Sequence, residues 1–342
     1  MEQRKIKCLV TGATGYVGTV LVKNMYDYGY DVTSLALPGD DTEFVSQYSK
    51  VRYADVCDED ALEREATGFD VVVHLAGIID ISVRNRKLIR RVNIGGTQNV
   101  AELCRKRGMK MIYCSTVHSI PCLPNDQLMT ETVDFDPKKV EGTYGKTKAE
   151  ATKFVLEMTR NGLDAMVAFP SGIIGPYERR VSNIGALIID FLCGGLTAYT
   201  SGQYNFVDVR DVANGIRGMI EHWKSGECYI LSGHVVTVEQ MISEIAKASG
   251  KKMLRVKMPY WFALGTSYFA EFYYFLMRKK PLFTHYSMQT LQASCKFSNR
   301  KAQEDIGFSA RPFQESLSDM THWIMDHFII KVGKKYKPCP YK

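Results

Sequence analysis

The chain is 342 residues long, with 45% hydrophobic residues, 24% charged residues and a formal net charge of +7. That length can bury a sizeable core, and the ordinary apolar to charged balance excludes a disordered chain. The positive excess sits in short clusters at residues 84–87, 278–280 and 331–342 with no aromatic-interleaved basic stripe, so these read as solvated faces and no nucleic acid is expected as a partner.

Residues 5–11 form a short apolar run that ends at Gly12-Ala13-Thr14-Gly15-Tyr16-Val17-Gly18, and residues 16–28 have helical periodicity closed by Gly29. Residues 31–37 read as a second buried strand. Strand, glycine turn, helix, strand is the context in which a glycine pattern binds a dinucleotide: glycines let backbone N–H groups approach a pyrophosphate at a helix amino terminus. Further alternation follows. Residues 51–53 lead to Asp55-Val56, residues 61–66 look helical, and residues 71–77 form an apolar strand ending in Leu75-Ala76-Gly77. Residues 88–107 predict one long helix containing Asn93, and residues 109–113 a buried strand closing on Cys114-Ser115-Thr116. The following helix carries Tyr144 and Lys148.

Those two residues are four apart, so a helix places both side chains on one face. A phenol titrates near pH ~10 and needs its anion stabilised by about 4 kcal/mol to serve at neutrality. One ammonium at about 4 Å, at an effective dielectric of about 20, supplies roughly that amount. Residues 163–169 predict another strand leading to Pro170-Ser171-Gly172-Ile173-Ile174-Gly175-Pro176. Beyond it come an apolar helix at 184–192, a strand entering a helix at 206–212, a last core strand at 228–232, and a helix over 238–248 capped by Thr237 with Gln240 as its capping-box partner.

The fold class expected is α/β: a Rossmann-type doubly wound parallel sheet with a smaller, mainly helical carboxyl-terminal substrate lobe. The expected division is a dinucleotide-binding domain over 1–170 with returning segments near 204–232, a substrate lobe over 171–203 and 233–330, and a basic tail over 331–342. Nine cysteines show no Cys-x-x-Cys pair and no zinc-ligand spacing, so reduced thiols, no metal and a cytoplasmic location are expected. The polar first residues run at once into a strand and leave no room for a secretory signal.

Taken together, these motifs resemble the extended short-chain dehydrogenase/reductase family, in its dihydroflavonol reductase and 3β-hydroxysteroid dehydrogenase branch. The resemblance rests on residues 11–18, Asp55-Val56, His74-Leu75-Ala76-Gly77, Val92-Asn93 with Gly96-Thr97, Ser115-Thr116, Tyr144 with Lys148, and residues 170–176. It implies that Tyr144 is the general acid-base and that Lys148 lowers its pKa and binds the nicotinamide ribose. The substrate carbonyl would be polarised by Thr116, with the adjacent Ser115 as the alternative. It further implies cofactor contacts at Gly12, Thr14, Gly15, Tyr16, Val17 and Gly18, at the adenine-binding pair Asp55 and Val56, and at Leu75, Ala76 and Gly77. Pro170 and Ile173 would lie along the nicotinamide. Asn93, also counted among the cofactor-binding residues, would order the strand ends, unless it is simply a satisfied polar residue on a helix, and His74 is expected to be structural.

Cofactor choice departs from the family pattern. The second strand ends in Ala36-Leu37 followed by Pro38-Gly39-Asp40-Asp41, and two acids without a cation favour NAD over NADP. Residues 259–277 are unusually aromatic and end beside a basic cluster, which suits a wall for a small apolar hydroxy or keto substrate, with peripheral membrane contact through 259–280 as a further option. A steroid-like alcohol or ketone is the most specific substrate this suggests. The alternatives are a nucleotide-sugar epimerase or dehydratase, for which Arg179 and Arg180 could serve as phosphate partners, and a non-catalytic dinucleotide-binding sensor. A homodimer is the expected assembly.

Overall fold

The computed structural model describes residues 4–79, 85–121, 123, 127–132, 134–262, 264–265, 295–332 and 335–338. Its centre is a sheet of seven parallel strands: β1 (Lys7–Thr11), β2 (Asp31–Ala36), β3 (Lys50–Tyr53), β4 (Val71–His74), β5 (Lys110–Cys114), β6 (Ala165–Pro170) and β10 (Cys228–Leu231). Their order is β10-β6-β5-β4-β1-β2-β3. The chain therefore winds from β1 outward to β3, returns to β4 on the other side of β1, and continues to β10. The reversal lies between β1 and β4, and in open parallel sheets ligands bind outside the carboxyl ends of the strands at such a point.

Helices α1 (Tyr16–Asp27), α2 (Glu59–Glu65), α3 (Arg86–Arg90), α4 (Thr97–Arg107), α5 (Thr143–Thr159) and α7 (Val209–Glu221) cover the two faces. Alternation along the strands divides the core. Leu9, Val72, Met111 and Tyr113 pack with Val155 and Phe169 on one face, while Cys8, Val10, Val73 and Ile112 pack with Leu21, Ile216 and Tyr229 on the other.

The remaining elements build a smaller lobe. Strands β7 (Gly172–Ile174), β9 (Gln203–Asp208) and β11 (His234–Thr237) form a mixed sheet, and β8 (Ala198–Thr200) pairs with β12 (Val256–Met258). Helices α6 (Asn183–Cys193), α8 (Val238–Ser249) and α10 (Phe313–Phe328) pack there around Ile188, Phe206, Ile245 and Leu317. The Thr237–Gln240 capping box is formed as the sequence predicted. Helix α9 (Arg300–Ile306) turns back, and its Ala302 and Ile306 join the core against α7 and β10.

Three features differ from the sequence expectation. The single helix expected over 88–107 is interrupted by a π segment at Arg91–Gly96, which turns the fully buried Asn93 toward the loop after β4. The short strands of the mixed sheet were hidden because β7 and β11 span three and four residues. Ile329–Val332 (β13) and Lys335–Pro338 (β14) pair antiparallel where only a basic tail was expected. Of the aromatic stretch 259–277, residues 263 and 266–277 lie outside the described residues, and so does the basic cluster at 278–280. Of the part that is described, Trp261 is 74% exposed. Among the described residues no helix is long and apolar enough to cross a membrane.

Candidate active site

The glycine turn joins β1 to α1, and its geometry requires glycine at two positions. Gly12 has φ +66°, and a Cβ there would sit 2.8 Å from the backbone nitrogen of Ala76. A Cβ on Gly18 would lie 2.3 Å from the carbonyl oxygen of Gly12. Gly15 opens α1 with no side-chain cap and no acid in the first turn, so the N–H groups and dipole of the helix end remain available to an anion. These features fit a dinucleotide pyrophosphate. Tyr16 donates its hydroxyl hydrogen to the carbonyl of Gly175, and Tyr16, Val17, Leu75 and Ile173 pack against one apolar cluster. Thr14 donates to Asp40 Oδ2 at 2.7 Å.

A buried hydrogen-bond chain fixes this turn relative to β4. Thr97 donates to the carbonyl of Asn93 at 2.8 Å, so its oxygen accepts from His74 Nε2 at 3.0 Å. His74 Nδ1 then accepts from Thr11 Oγ1 at 2.8 Å, and Thr11 Oγ1 accepts from Ala76 N–H at 3.2 Å. Each hydroxyl has one proton, so the chain sets the histidine tautomer. Burial, reinforced by the Lys148 charge, pushes the His74 pKa down to about 3. His74 is thus neutral and structural, as the sequence suggested.

Asn93 holds the loop after β4 on both sides. Its Oδ1 accepts from Ile78 N–H at 2.8 Å, and its Nδ2 donates to the carbonyl of Ile78 at 3.1 Å and to Thr147 Oγ1 at 3.2 Å. Thr147 belongs to α5, so Asn93 fastens the loop after β4, at Ile78, to the helix that carries Tyr144 and Lys148. A Cβ on Gly77 would lie 3.3 Å from Asn93 Oδ1 and 3.4 Å from Lys148 Nζ. Asn93 is therefore fully hydrogen-bonded, and it ties the loop after β4 to α5.

Lys148 is 4% exposed, its Nζ donates to the carbonyl of Cys114 at 2.8 Å, and it lies 4.8 Å from the centre of the Tyr113 ring. Burial lowers its pKa to about 8. Tyr144 is half-buried one turn earlier on α5. Its neighbour Gly145 allows α5 to press on the turn after β5, where a Cβ would meet the carbonyl oxygen of His118 at 2.8 Å.

The two candidate hydroxyls after β5 differ. Ser115 Oγ lies 2.7 Å from Thr152 Oγ1 and 3.1 Å from Ser119 Oγ, inside the packing between β5 and α5. Thr116 Oγ1 accepts a 3.3 Å hydrogen bond from His118 N–H and makes no other hydrogen bond among the described residues. Sequence reasoning missed His118 and Tyr204, which share a hydrogen bond and stack with ring centres 5.7 Å apart beside this turn. They are 86 positions apart, and only the mixed sheet that carries Tyr204 on β9 brings them together.

The remaining residues fall around this centre. Asp55 follows β3, accepts from Cys57 N–H at 2.9 Å and lies 3.7 Å from Arg91, while Val56 is buried against Gly96. Pro170 ends β6 opposite Leu231, and Ile173 pairs with Val207 in the small sheet. Arg179 and Arg180, considered from sequence as partners for a sugar-nucleotide phosphate, are paired with Asp41 and Asp40. Among the described residues no group of His, Cys, Asp and Glu is arranged to hold a metal ion.

Known proteins share this architecture over nearly the whole chain. A putative dihydroflavonol 4-reductase from Synechocystis is 24% identical across 94% of this chain and 95% of its own length. Sterol demethylase protein B of Methylococcus capsulatus is 24% identical, covering 94% of this chain and 99% of that protein. The crystal structure of gox2253 superposes with a TM-score of 0.82 at 26% identity, covering 95% of this chain and 99% of that one. A UDP-glucuronic acid 4-epimerase from Bacillus cereus in complex with NAD shares the fold, with a TM-score of 0.73 at 19% identity over 94% and 99% of the two chains. The model of the NAD dependent epimerase/dehydratase family matches residues 8–232, and the chain therefore belongs to that family, an NAD-dependent enzyme among the extended short-chain dehydrogenases/reductases.

Proposed function

We propose that the protein interconverts a secondary alcohol and a ketone on an apolar, steroid-like substrate, using NAD. The observation that carries this reading is the buried Lys148 ammonium, held by the Cys114 carbonyl at the carboxyl end of β5, next to Gly77 and one helical turn from Tyr144. The glycine turn and Lys148 would hold NAD, which would supply the hydride chemistry. The chain supplies the proton chemistry and the positioning. Tyr144 Oη exchanges the proton with the substrate oxygen, the Lys148 charge stabilises the phenolate, and the Thr116 hydroxyl donates to the same substrate oxygen. Asn93 and His74 keep the loop after β4 in place.

Support for an apolar substrate comes from the aromatic composition of 259–277 and from the names of relatives, which include a sterol demethylase protein and a 3beta-hydroxysteroid-dehydrogenase/decarboxylase of Arabidopsis thaliana that is 24% identical over 91% of this chain. The test is a panel of hydroxysteroids, flavonoids and nucleotide sugars incubated with NAD or NADH and followed by nicotinamide absorbance. Turnover of a hydroxysteroid or its ketone supports the reading. Turnover confined to nucleotide sugars refutes it.

A further inference from the structure

Two consecutive arginines reach across the molecule to two consecutive aspartates. Arg180 Nη2 lies 3.0 Å from Asp40 Oδ1, and Arg179 Nη2 lies 2.9 Å from Asp41 Oδ2. The partners are 140 and 138 positions apart. The other oxygen of Asp40, Oδ2, accepts from Thr14 Oγ1 at 2.7 Å and faces the backbone N–H of Leu37 at 3.4 Å. Asp40 is therefore clasped between the glycine turn and the end of β2, roughly twenty residues beyond Gly18, where an acid that reads the ribose of a dinucleotide is expected. Its side chain is 18% exposed.

The arginines project from a loop anchored at several points. Gly175 accepts from Tyr16, the Glu178 carbonyl accepts from Trp323 Nε1 at 2.9 Å, and the buried Glu178 carboxylate accepts from Ser182 N–H. Tyr177 has φ +71°, the single non-glycine residue with positive φ among the described residues, and its ring packs 5.1 Å from that of Trp323. Arg179 also lies 5.6 Å from the centre of the Phe44 ring. The two cations thus come from the loop after β7 to the glycine turn and the end of β2, and each is matched there by one carboxylate.

We propose that this four-residue cluster sets the choice of dinucleotide. Asp40 takes a ribose hydroxyl and excludes a 2′-phosphate, while Arg179 and Arg180 form a latent phosphate-binding pair that the two aspartates neutralise. A 2′-phosphate adds about −1.5 to −2 charges and would have to displace a carboxylate from each arginine. With the acids neutralised, the same guanidinium groups would be free to bind it in forked geometry. The proposal rests on the reading of the glycine turn as the dinucleotide cradle.

Calorimetric titration of NAD and NADP separates the two. Wild type is expected to bind NAD at least tenfold more tightly than NADP. Asp40→Asn with Asp41→Asn should move the ratio of dissociation constants at least tenfold toward NADP, and adding Arg179→Gln with Arg180→Gln should cancel that gain. Arg180→Gln alone, at an exposed side chain, should move the ratio further toward NAD. A shift below tenfold in the aspartate variant, or a gain that survives loss of both arginines, overturns the proposal while leaving the cradle intact. A wild-type protein that binds neither dinucleotide overturns both.

Discussion

Lys148 Nζ donates to the carbonyl oxygen of Cys114 over 2.8 Å, so the helix that bears the candidate acid-base residue is fastened by its lysine to the end of the fifth strand. The same contact buries a charge. A pKa lowered to about 8 corresponds to about 3 kcal/mol against the ammonium.

Lys148→Met should therefore lower turnover at least a hundredfold while the protein melts no lower than wild type at pH 7. The sign follows from linkage. Between about pH 8 and the ordinary value of 10.5 the unfolded lysine holds a proton that the folded one has released, so wild-type stability rises with pH relative to the variant. Melting curves at pH 7 and pH 10 check this. A variant that is both destabilised and fully active would contradict it.

His74 makes the opposite end of the pH range informative. It stays neutral in the folded state down to about pH 3 and takes a proton near 6.5 when unfolded, so stability falls as pH falls through that window, by at most about 1.4 kcal/mol per pH unit from this group. His74→Gln should be less stable than wild type at pH 7.5, because it breaks the chain from Ala76 through Thr11 to Thr97. The stability difference should narrow by pH 5. Urea unfolding at both pH values measures it.

The two hydroxyls after the fifth strand should separate by what they lose. Ser115→Ala removes buried partners of Thr152 and Ser119 and should cost about 1–3 kcal/mol of stability with little change in turnover. Thr116→Ala should leave the melting temperature within a few degrees and lower kcat tenfold or more. Steady-state kinetics beside thermal melts distinguishes the two outcomes.

Gly12→Ala should weaken NAD binding at least tenfold, because its Cβ would meet the backbone of Ala76. Gly29→Ala is the control. Gly29 also has positive φ, at +85°, but nothing lies within 4 Å of its Cβ, so only backbone strain of about 1–2 kcal/mol is expected and binding should hold. Equal effects on binding from both variants would count against the cradle.

Much of this centre was legible in the sequence because its residues are local. The glycine turn, the strand that runs to His74 before Leu75-Ala76-Gly77 and the Tyr144–Lys148 spacing are each local, where period and punctuation suffice. The ambiguity between Ser115 and Thr116 was not resolvable in that way, since adjacent hydroxyls differ only in the partners that tertiary packing gives them. Nor was the pairing of Arg180 with Asp40, 140 positions apart, or of His118 with Tyr204, which depends on a sheet whose strands run only three to six residues. The π segment that presents Asn93 was not read from the sequence either, although Gly95 and Gly96, both poor helix formers, stand within it.

The most direct measurement is the turnover of Tyr144→Phe on whichever substrate the panel identifies, taken together with its affinity for NAD. The account predicts a loss of at least a thousandfold in kcat, with the dissociation constant for NAD within about threefold of wild type. A variant that turns over the same substrate as fast as wild type would contradict the assignment of Tyr144 as the residue that moves the proton.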